Sequence, residues 1–409
     1  MCYFRNVFLI LHKISNIMVI KRDYTTELNE LKKGFPIIAL TGARQVGKTT
    51  FLKEQFPDYE YYNLETPSTL SMIERDPETF LRNKSHIILD EVQKCPLIFS
   101  CLLEIVDDRK IMADFILSGS ENLLLSEKIS QSLAGRAGYL RMNPFSFQEL
   151  QNQNLLSDDF CEQIFKGFLP TIYDRAMSPI KYYDQYIATY LERDVRQIKN
   201  VQNLDTFRKF VSLLAGRIGQ MINYQSLVND IWIDEKTVKS WISILEASFL
   251  VFKLYPYYEN FGKRYIKSPK IYFMDTGLAC RLLRINSVEE LRNNTMIGNL
   301  FENMIVAEIK KQLNILWYGE ECYFYRDSHQ KEVDIIIDKA NTQIPIEIKS
   351  SGTYSKDFEK GISYWKELNK NNQKKQPEKW WIIYTGKSID LWDINVINWK
   401  DFRYYHKDW

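Results

Sequence analysis

The chain has 409 residues, of which 45% are apolar and 26% are charged, a composition typical of folded globular proteins. The length exceeds the size at which a single hydrophobic core usually stops growing, so we expect two or three domains. The 54 basic residues almost balance the 52 acidic ones, which excludes a basic surface spread over the whole protein and leaves only a local groove open to nucleic acid.

The cysteines and the apolar runs indicate a cytoplasmic protein. The six cysteines are scattered without C-x-x-C spacing, so the sequence indicates neither a zinc site nor a disulfide framework, and reduced thiols are the simpler interpretation. The apolar run 7–11 is short and lacks a cleavage site, so it does not predict a signal peptide. The sequence contains no run of 18 or more apolar residues, so no membrane span is predicted. Residues 1–17 are interpreted as an upstream extension, because Met18 opens a more ordinary start.

A phosphate-binding loop is the strongest motif of the chain. The apolar run 37–41 leads into the pattern G-x-x-x-x-G-K-T, and a helix-compatible run follows, which is the context that a P-loop requires. Gly42 and Gly47 allow a backbone path that turns N–H groups onto phosphate oxygens, and the helix adds the positive end of its dipole. Lys48 is expected to reach the β- and γ-phosphates, and the Thr49 hydroxyl to ligate Mg²⁺. The predicted nucleotide-binding residues of the loop are Gly42, Ala43, Arg44, Gln45, Val46, Gly47, Lys48, Thr49 and Thr50.

Two further segments carry candidate groups for phosphate chemistry. The apolar strand 86–89 is followed by Asp90, which is expected to hold Mg²⁺ through water, and by Glu91, which is expected to orient or deprotonate the attacking water. The alternative is a buried strand that ends in surface acids. Arg136 is the candidate for a cationic group that reaches the nucleotide, within its own chain or from a neighbouring subunit, and an ordinary surface arginine is the alternative.

Five motifs occur together along the first part of the chain. They are G-A-R-Q-V-G-K-T-T (42–50), L-D-E-V-Q (89–93), L-S-G-S (117–120), L-A-G-R (133–136) and N-P-F-S-F (143–147). Together they resemble a prokaryotic family of AAA-type ATPases with a C-terminal domain of unassigned function, and the likeness runs from about Met18 to the end of the chain. The resemblance implies an ATPase that uses ATP and Mg²⁺ and whose subunits usually assemble into homo-oligomers. It supplies no substrate.

The resemblance also implies a γ-phosphate sensor. In AAA-type ATPases, a polar side chain at the tip of the strand beside the metal-binding acid contacts the γ-phosphate. The apolar strand 114–120 ends in small hydroxyl residues, so Ser118 or Ser120 is implied in this role, and a hydroxyl that caps the next turn is the alternative. Ser118 stands where a threonine is usual in the family.

The middle segment has the pattern of a winged helix. Residues 204–258 are predicted to form a helix, a short helix, a longer helix and a β-rich segment, with Asn223 and Asp234 as helix caps. Two aromatic, β-branched runs are expected to pair as a wing hairpin. The predicted reader helix carries Lys236 and Lys239 but also several acids, so DNA binding and a packing or coupling role both stay open.

The C-terminal segment is predicted to have the αβββαβ order of the PD-(D/E)XK nuclease-like fold. Asp334 lies on the second predicted strand, and Glu347 and Lys349 alternate on the third, so the latter two share a face. Asp334 and Glu347 are expected to hold one or two divalent ions, and Lys349 to orient water or stabilise charge. Glu302, on the preceding helix, is a candidate to complete the set. Cleavage of nucleic acid and an inactive version of the fold both stay open.

The sequence therefore predicts an α/β protein in three parts: an AAA-type P-loop ATPase domain over residues 18–200, a winged-helix-like module over 201–290 and a nuclease-like domain over 291–409. The predicted function is Mg²⁺-dependent ATP hydrolysis coupled to a domain that binds or cleaves nucleic acid. The alternatives are an ATP-dependent switch or interaction protein with an inactive nuclease-like fold, and a winged-helix DNA-binding regulator. The predicted catalytic residues are Glu91, Arg136, Asp334, Glu347 and Lys349.

Overall fold

The computed structural model describes residues 20–120, 133–191, 203–258, 268–316, 321–339, 342–370 and 379–402. The interpreted extension 1–17 lies outside these ranges, as does the predicted boundary at residue 200. Within these ranges, the protein has two parts that are each built on a β-sheet with helices. A helical segment and a short two-stranded hairpin join the two parts.

The first part is built on a parallel sheet of five strands. The strands are β1 (Ile37–Thr41), β2 (Glu60–Asn63), β3 (Ile87–Asp90), β4 (Phe115–Gly119) and β5 (Ala137–Arg141). They lie in the order β2-β3-β4-β1-β5. Because all five strands run the same way, their carboxyl ends meet at one edge of the sheet, where ligands bind in open α/β folds.

Helices cover both faces of this sheet, and alternate strand residues point into different cores. Ile38 and Leu40 of β1 pack into a large core, whereas Ile37 and Ala39 pack into a smaller one on the opposite face, as the two-residue period of a strand requires. The helices of this part are α1 (Thr25–Gly34), α2 (Lys48–Gln55), α3 (Pro67–Arg75), α4 (Pro77–Arg82) and α5 (Leu97–Arg109).

Short helices lead from the sheet to the middle segment, which has the predicted order of helices followed by a hairpin. Asn223 and Asp234 cap their helices through side-chain oxygens that accept from Ser226 N and Thr237 N, so both predicted caps are confirmed. The elements are α6 (Phe147–Gln151), α7 (Phe160–Lys166), α8 (Pro170–Asp174), α9 (Pro179–Tyr186), α10 (Leu204–Ala215), α11 (Tyr224–Ile231), α12 (Glu235–Ala247) and the antiparallel strands β6 (Val251–Leu254) and β7 (Lys270–Phe273).

The C-terminal part contains a six-stranded sheet. Its elements are α13 (Thr276–Leu282), α14 (Val288–Arg292), α15 (Ile297–Leu316), β8 (Glu321–Arg326), β9 (Glu332–Asp338), β10 (Gln343–Lys349), α16 (Lys360–Leu368), β11 (Trp380–Tyr384), β12 (Ile389–Asp390) and β13 (Ile394–Asn398). The strands lie in the order β12-β13-β11-β10-β9-β8. Strand β9 pairs antiparallel with β8 and β10, whereas β10 pairs parallel to β11, which requires the crossover helix between them. The predicted order of helix, three strands, helix and strand is therefore present.

One hydrophobic core crosses all three predicted parts. It contains Leu40 from β1, Phe210 from α10, Phe301 from α15 and Ile346 from β10, all of them fully buried. The parts are therefore packed against each other through apolar contacts, which couple their stabilities. Each helix that the structure describes is too short or too polar to cross a membrane.

Candidate functional site

The loop after β1 has the backbone geometry of a phosphate cradle. Gly42 has a φ of 152°, and a Cβ there would lie 2.1 Å from the carbonyl oxygen of Met142, so a larger residue does not fit. Gly47, which immediately precedes α2, has a φ of 92°, a left-handed conformation that favours glycine. The loop therefore leads directly into the N-terminus of α2, where an anion is stabilised.

Lys48 lies inside this loop. Its Nζ donates to the carbonyl oxygens of Gly42, at 2.8 Å, and Ala43, at 3.0 Å. Burial lowers the pKa of the Lys48 ammonium, because a charge removed from water is less stable. The ammonium is thus held at the centre of the loop by two neutral acceptors that phosphate oxygens can replace.

The loop is joined to the end of β3 by a direct hydrogen bond. Thr49 Oγ1 donates to Asp90 Oδ2 at 2.8 Å, and Tyr61 OH donates to the same oxygen at 2.6 Å. Burial, together with the bond to Asp90, raises the pKa of Tyr61. A hydroxyl and a carboxylate within contact of each other are oxygen ligands of the kind that Mg²⁺ takes, so the residues present fit a magnesium ion bound together with phosphate.

Glu91 follows at a left-handed φ of 57°, and the end of β4 holds its side chain. Its Oε2 accepts from Ser120 Oγ at 2.9 Å and from Gln93 Nε2 at 2.5 Å. Ser118, one strand position earlier than Gly119, is fully buried, and within the described residues its hydroxyl has no hydrogen-bond partner. Of the two candidate sensors, Ser120 is therefore engaged with Glu91, and the Ser118 hydroxyl remains a buried polar group that needs a partner.

The remaining loop residues anchor the loop to the rest of the protein. Arg44 forms an ion pair of 2.7 Å with Glu65, and Gln45 Oε1 accepts from Tyr182 OH of α9 at 2.7 Å. Ala43 and Val46 are buried in the large core. The carbonyl oxygen of Val46 accepts from Arg22 Nη1 at 2.5 Å.

A cavity lies beside the loop on the side of α2. It is small, about 60 Å³, and is bounded by Gly47 and by Thr50 at the start of α2. Its lining is partly apolar and partly polar. The other lining residues are Ile20, Arg22, Phe51, Glu54, Phe145, Pro170 and Asp174.

Comparison with protein families divides the chain into three segments. The family described as "AAA domain" matches residues 34–151, and the domain of unknown function DUF8612 matches residues 157–289. The domain of unknown function DUF4143 matches residues 297–402. Residues 34–151 form a P-loop AAA-type ATPase domain. The predicted AAA-type fold, and its resemblance to a family with a C-terminal domain of unassigned function, are thereby confirmed.

Two relatives match most of the chain. An uncharacterized protein of Mycobacterium tuberculosis is 28% identical over 84% of this chain and 77% of its own length. An uncharacterized protein of Haemophilus influenzae is 23% identical over 94% of this chain and 97% of its own length. Among solved structures, a Walker-type ATPase of Pyrococcus abyssi aligns with a TM-score of 0.41 at 17% identity, over 65% of this chain and 96% of that one.

Arg136 lies away from the P-loop of its own AAA-type domain. It precedes β5, and its carbonyl oxygen accepts from Ile37 N at the start of β1. The P-loop follows the other end of β1, about 15 Å away at the ~3.3 Å rise per strand residue. The guanidinium forms a two-pronged pair with Asp107 of α5, at 2.7 and 2.6 Å. The structure therefore does not bring Arg136 to the nucleotide site of the same chain, because parallel strands begin at the opposite edge from the ligand.

The predicted C-terminal residues do come together. Lys349 Nζ is 2.5 Å from Glu347 Oε1 and 3.7 Å from Asp334 Oδ2, and Asp334 Oδ2 accepts from Ile348 N at 2.8 Å. Burial, followed by the nearby Asp334 charge, raises the pKa of Glu347 to about 8. Glu347 Oε2 is buried, and within the described residues it has no hydrogen-bond partner.

Sequence reasoning missed three residues of this cluster. Lys270 of β7 contributes a second ammonium, which is 3.2 Å from Glu302 Oε1 and 2.5 Å from Glu332 Oε1. Tyr272 OH donates to Glu302 Oε1 at 2.5 Å. Glu332 carries a signal in the sequence, because it stands two positions before Asp334 on the same strand face. Lys270 and Tyr272 carry none, since they belong to the middle hairpin.

The cluster does not fit a divalent ion in this arrangement. Across the described ranges, no three His, Cys, Asp or Glu side chains are arranged to hold a metal ion. Ammonium groups instead lie against the carboxylates of Glu302, Glu332 and Glu347. The predicted metal ligands Asp334 and Glu347 are thus neighbours, but the Lys349 ammonium lies within 3.7 Å of a carboxylate oxygen of each.

Proposed function

We propose that the protein is an Mg²⁺-dependent ATPase whose nucleotide state is transmitted to the C-terminal domain. The observation that carries the proposal is the 2.8 Å hydrogen bond between Thr49 and Asp90. It joins the hydroxyl and the carboxylate that share a magnesium ion in P-loop NTPases. A chance match to the loop pattern would not be expected to bring Thr49 into contact with the buried Asp90. The two residues follow or end strands that are separated by β4 in the sheet.

The loop residues account for phosphate binding. Loop amides and Lys48 hold the phosphate oxygens, with the ammonium exchanging its bonds to the carbonyls of Gly42 and Ala43 for bonds to phosphate. Thr49 and Asp90 hold the magnesium ion. A magnesium ion bound there supplies positive charge against the phosphate oxygens.

Glu91 accounts for hydrolysis. Its carboxylate accepts a proton from, or orients, the attacking water, after exchanging the hydrogen bonds from Ser120 and Gln93 for one from that water. The buried hydroxyl of Ser118, at the end of the strand between β3 and β1, contacts the γ-phosphate. Two neighbouring hydroxyls therefore have separate roles, one on the phosphate and one on the carboxylate.

We place the nucleobase against the mouth of the cavity beside Gly47. Phe51 and Phe145 offer apolar contacts, and Glu54 and Asp174 offer carboxylate oxygens. The amino group of an adenine ring donates to such oxygens.

A chain of buried contacts joins the P-loop to α15. Arg22 donates to Val46 O in the loop and forms a 2.7 Å ion pair with Glu149 of α6. At the N-terminus of the same helix, Phe147 N donates to Glu308 of α15 at 3.1 Å. Because α15 also carries Glu302, a shift of the loop is transmitted to the C-terminal acid cluster through rigid, buried elements.

The C-terminal domain has two candidate roles. The strand and helix order and the meeting of Asp334, Glu347 and Lys349 support a nuclease-like fold that contacts nucleic acid. The lysine-neutralised acids favour the second candidate, a switch or interaction protein whose nuclease-like fold is inactive. The hairpin after α12 supports the winged-helix interpretation of the middle segment. On α12 itself, Lys239 is paired with Glu235 at 2.6 Å, which weakens a role for this helix in reading DNA.

The proposal extends to assembly and location. Arg136 reaches a nucleotide only from a neighbouring subunit, so its catalytic role requires a homo-oligomer. The described cysteines are all free, which supports a reducing, cytoplasmic location.

Phosphate release from ATP tests the proposed function. We expect turnover with Mg²⁺ in the wild type, loss of turnover in EDTA, and loss on Lys48→Ala. Lys33→Ala, on the exposed face of α1, is the matched control and retains full turnover. Absence of turnover in the wild type, with and without single-stranded or duplex nucleic acid, would contradict the proposal.

A further inference from the structure

The amino group of Lys270 is a buried cation that belongs to the middle hairpin and contacts acidic side chains of the C-terminal part. Lys270 begins β7 in the middle hairpin and is 2% exposed. Its two carboxylate partners belong to the C-terminal part, Glu302 on α15 and Glu332 on β9. A buried ammonium is costly unless it is paired, and the two acids supply the pairing.

The position of Lys270 is fixed by contacts on both sides of β7. Tyr272, on the same strand face, donates to Glu302, and Asn303 bonds both to Phe273 N and to Phe273 O. On the other side, Gly219 N donates to Ile271 O at 3.0 Å. A Cβ at Gly219 would lie 3.2 Å from Glu302 Oε1, so the chain passes close to the acid there.

The acid cluster needs positive charge. Four carboxylates, Glu302, Glu332, Asp334 and Glu347, lie in one largely buried region, and like charges at such a site repel strongly. A divalent cation or ammonium groups can offset this repulsion. In this protein Lys349 neutralises the acids of β9 and β10, and Lys270 neutralises the acids of α15 and β9.

We propose that Lys270 is an internal substitute for a divalent cation, and that it keeps the C-terminal acid cluster free of metal while β7 is docked. The inference rests on the nuclease-like interpretation of the C-terminal domain but not on ATP hydrolysis. The acids that Lys270 contacts are therefore expected to bind a divalent ion only when its ammonium is removed.

Manganese binding to the nucleotide-free full chain tests the proposal. All chains carry Asp90→Asn, which removes the proposed P-loop metal ligand, and free Mn²⁺ is measured by its paramagnetic resonance signal. With Lys270 intact we expect no ion bound at the cluster. Lys270→Met keeps the apolar stem of the side chain but not its charge, and adding it is expected to create one Mn²⁺ site. Mn²⁺ should bind there at least about tenfold more tightly than to any site in the chain with Lys270, a difference equivalent to ~1.4 kcal/mol.

Two further variants assign the new site. Adding Glu302→Gln and Glu332→Gln, which remove the two carboxylates that Lys270 contacts, to the Lys270→Met chain is expected to abolish it. Lys253→Met, in the neighbouring strand β6, is the matched control, because Lys253 is also a partly buried lysine paired with a glutamate, Glu246. That variant is expected to bind no more Mn²⁺ than the Asp90→Asn chain.

Thermal unfolding keeps the test decisive if Lys270→Met is destabilised. A ligand that binds the folded state raises the melting temperature, so Mn²⁺ is expected to raise that of the Lys270→Met chain and not that of the chain with Lys270. Two results would overturn the proposal: an Mn²⁺ site that depends on Glu302 and Glu332 while Lys270 is intact, or no binding and no thermal shift after Lys270→Met. Neither readout involves ATP, so failure here is distinguishable from failure of the proposed ATPase.

Discussion

The Thr49 hydroxyl lies 2.8 Å from Asp90 Oδ2 and donates to it, although the two residues are 41 positions apart in the chain. The contact spans strand β4, which separates β1 from β3 in the sheet. Asp90 therefore already lies beside the P-loop, and no movement of the backbone is needed to bring the two together. The account of ATP binding and hydrolysis therefore starts from this pair.

Removing the Thr49 hydroxyl is expected to abolish the effect of magnesium on ATP affinity. Thr49→Val keeps the shape of the side chain but removes one oxygen ligand, so affinity in Mg²⁺ is expected to fall by about tenfold, equivalent to ~1.4 kcal/mol. Affinity in EDTA is expected to be unchanged. Calorimetric titration measures both, and Thr206→Val on α10 serves as the control. Equal Mg²⁺ dependence in Thr49→Val and the wild type would refute a metal role for Thr49.

Neutralising Glu91 is expected to separate ATP binding from turnover. Glu91→Gln keeps the size of the side chain and loses the basic carboxylate, so turnover is expected to fall by about 100-fold or more, while ATP affinity stays within a factor of two or so. Phosphate release and nucleotide titration measure the two quantities. Glu78→Gln, on the exposed surface of α4, is the control. A parallel loss of affinity would mean that Glu91 has a structural role in the loop.

Breaking the buried pair between Arg22 and Glu149 is expected to destabilise the protein and loosen the P-loop. Both side chains are at most 5% exposed, and removal of one partner from a buried pair costs about 3–5 kcal/mol. Arg22→Met is therefore expected to lower the free energy of urea unfolding by that amount. It should also weaken ATP binding, because the bond to Val46 O is lost. The double variant with Glu149→Met should recover part of the stability; equal stability of Arg22→Met and the wild type would show that the pair contributes nothing.

The acid cluster is expected to make stability depend on pH. Burial raises the pKa of Glu347 from 4.5 to about 8, so between these values the unfolded chain has released a proton that the folded chain keeps. The free energy of unfolding should then fall as pH rises through this window and level off above it. Within this window the loss is at most ~1.4 kcal/mol per pH unit for the single proton involved. Urea unfolding of Glu347→Gln should lack this component, and an identical pH profile in the variant would contradict it.

Local motifs made the P-loop predictable from sequence. Gly42, Gly47 and Lys48 act through backbone path and short reach, and the following acids Asp90 and Glu91 end an apolar strand that the sequence marks clearly. Tyr61 was not predictable, because its contact with Asp90 depends on β2 pairing with β3. The engagement of Glu91 by Ser120 likewise depends on which strand lies beside β3.

Other parts of the site depend on the direction of strands and on contacts between distant segments. Arg136 stands close to β5 in sequence, but its place at the far edge of the sheet follows only once β5 is known to run parallel to β1. The pair formed by Lys270 and Glu302 joins a hairpin to a helix 32 residues later. No periodicity or spacing encodes that contact, whereas the αβββαβ order around Asp334 and Glu347 follows from apolar runs and was predictable.

Calorimetric titration of the purified full chain with ATP in the presence of Mg²⁺ tests the central claim most directly. We expect one ATP bound per chain in the wild type and no measurable binding in Lys48→Ala, with Lys33→Ala identical to the wild type. The absence of ATP binding by folded wild-type protein, or binding that survives Lys48→Ala unchanged, would contradict the assignment of the loop between β1 and α2 as the nucleotide site.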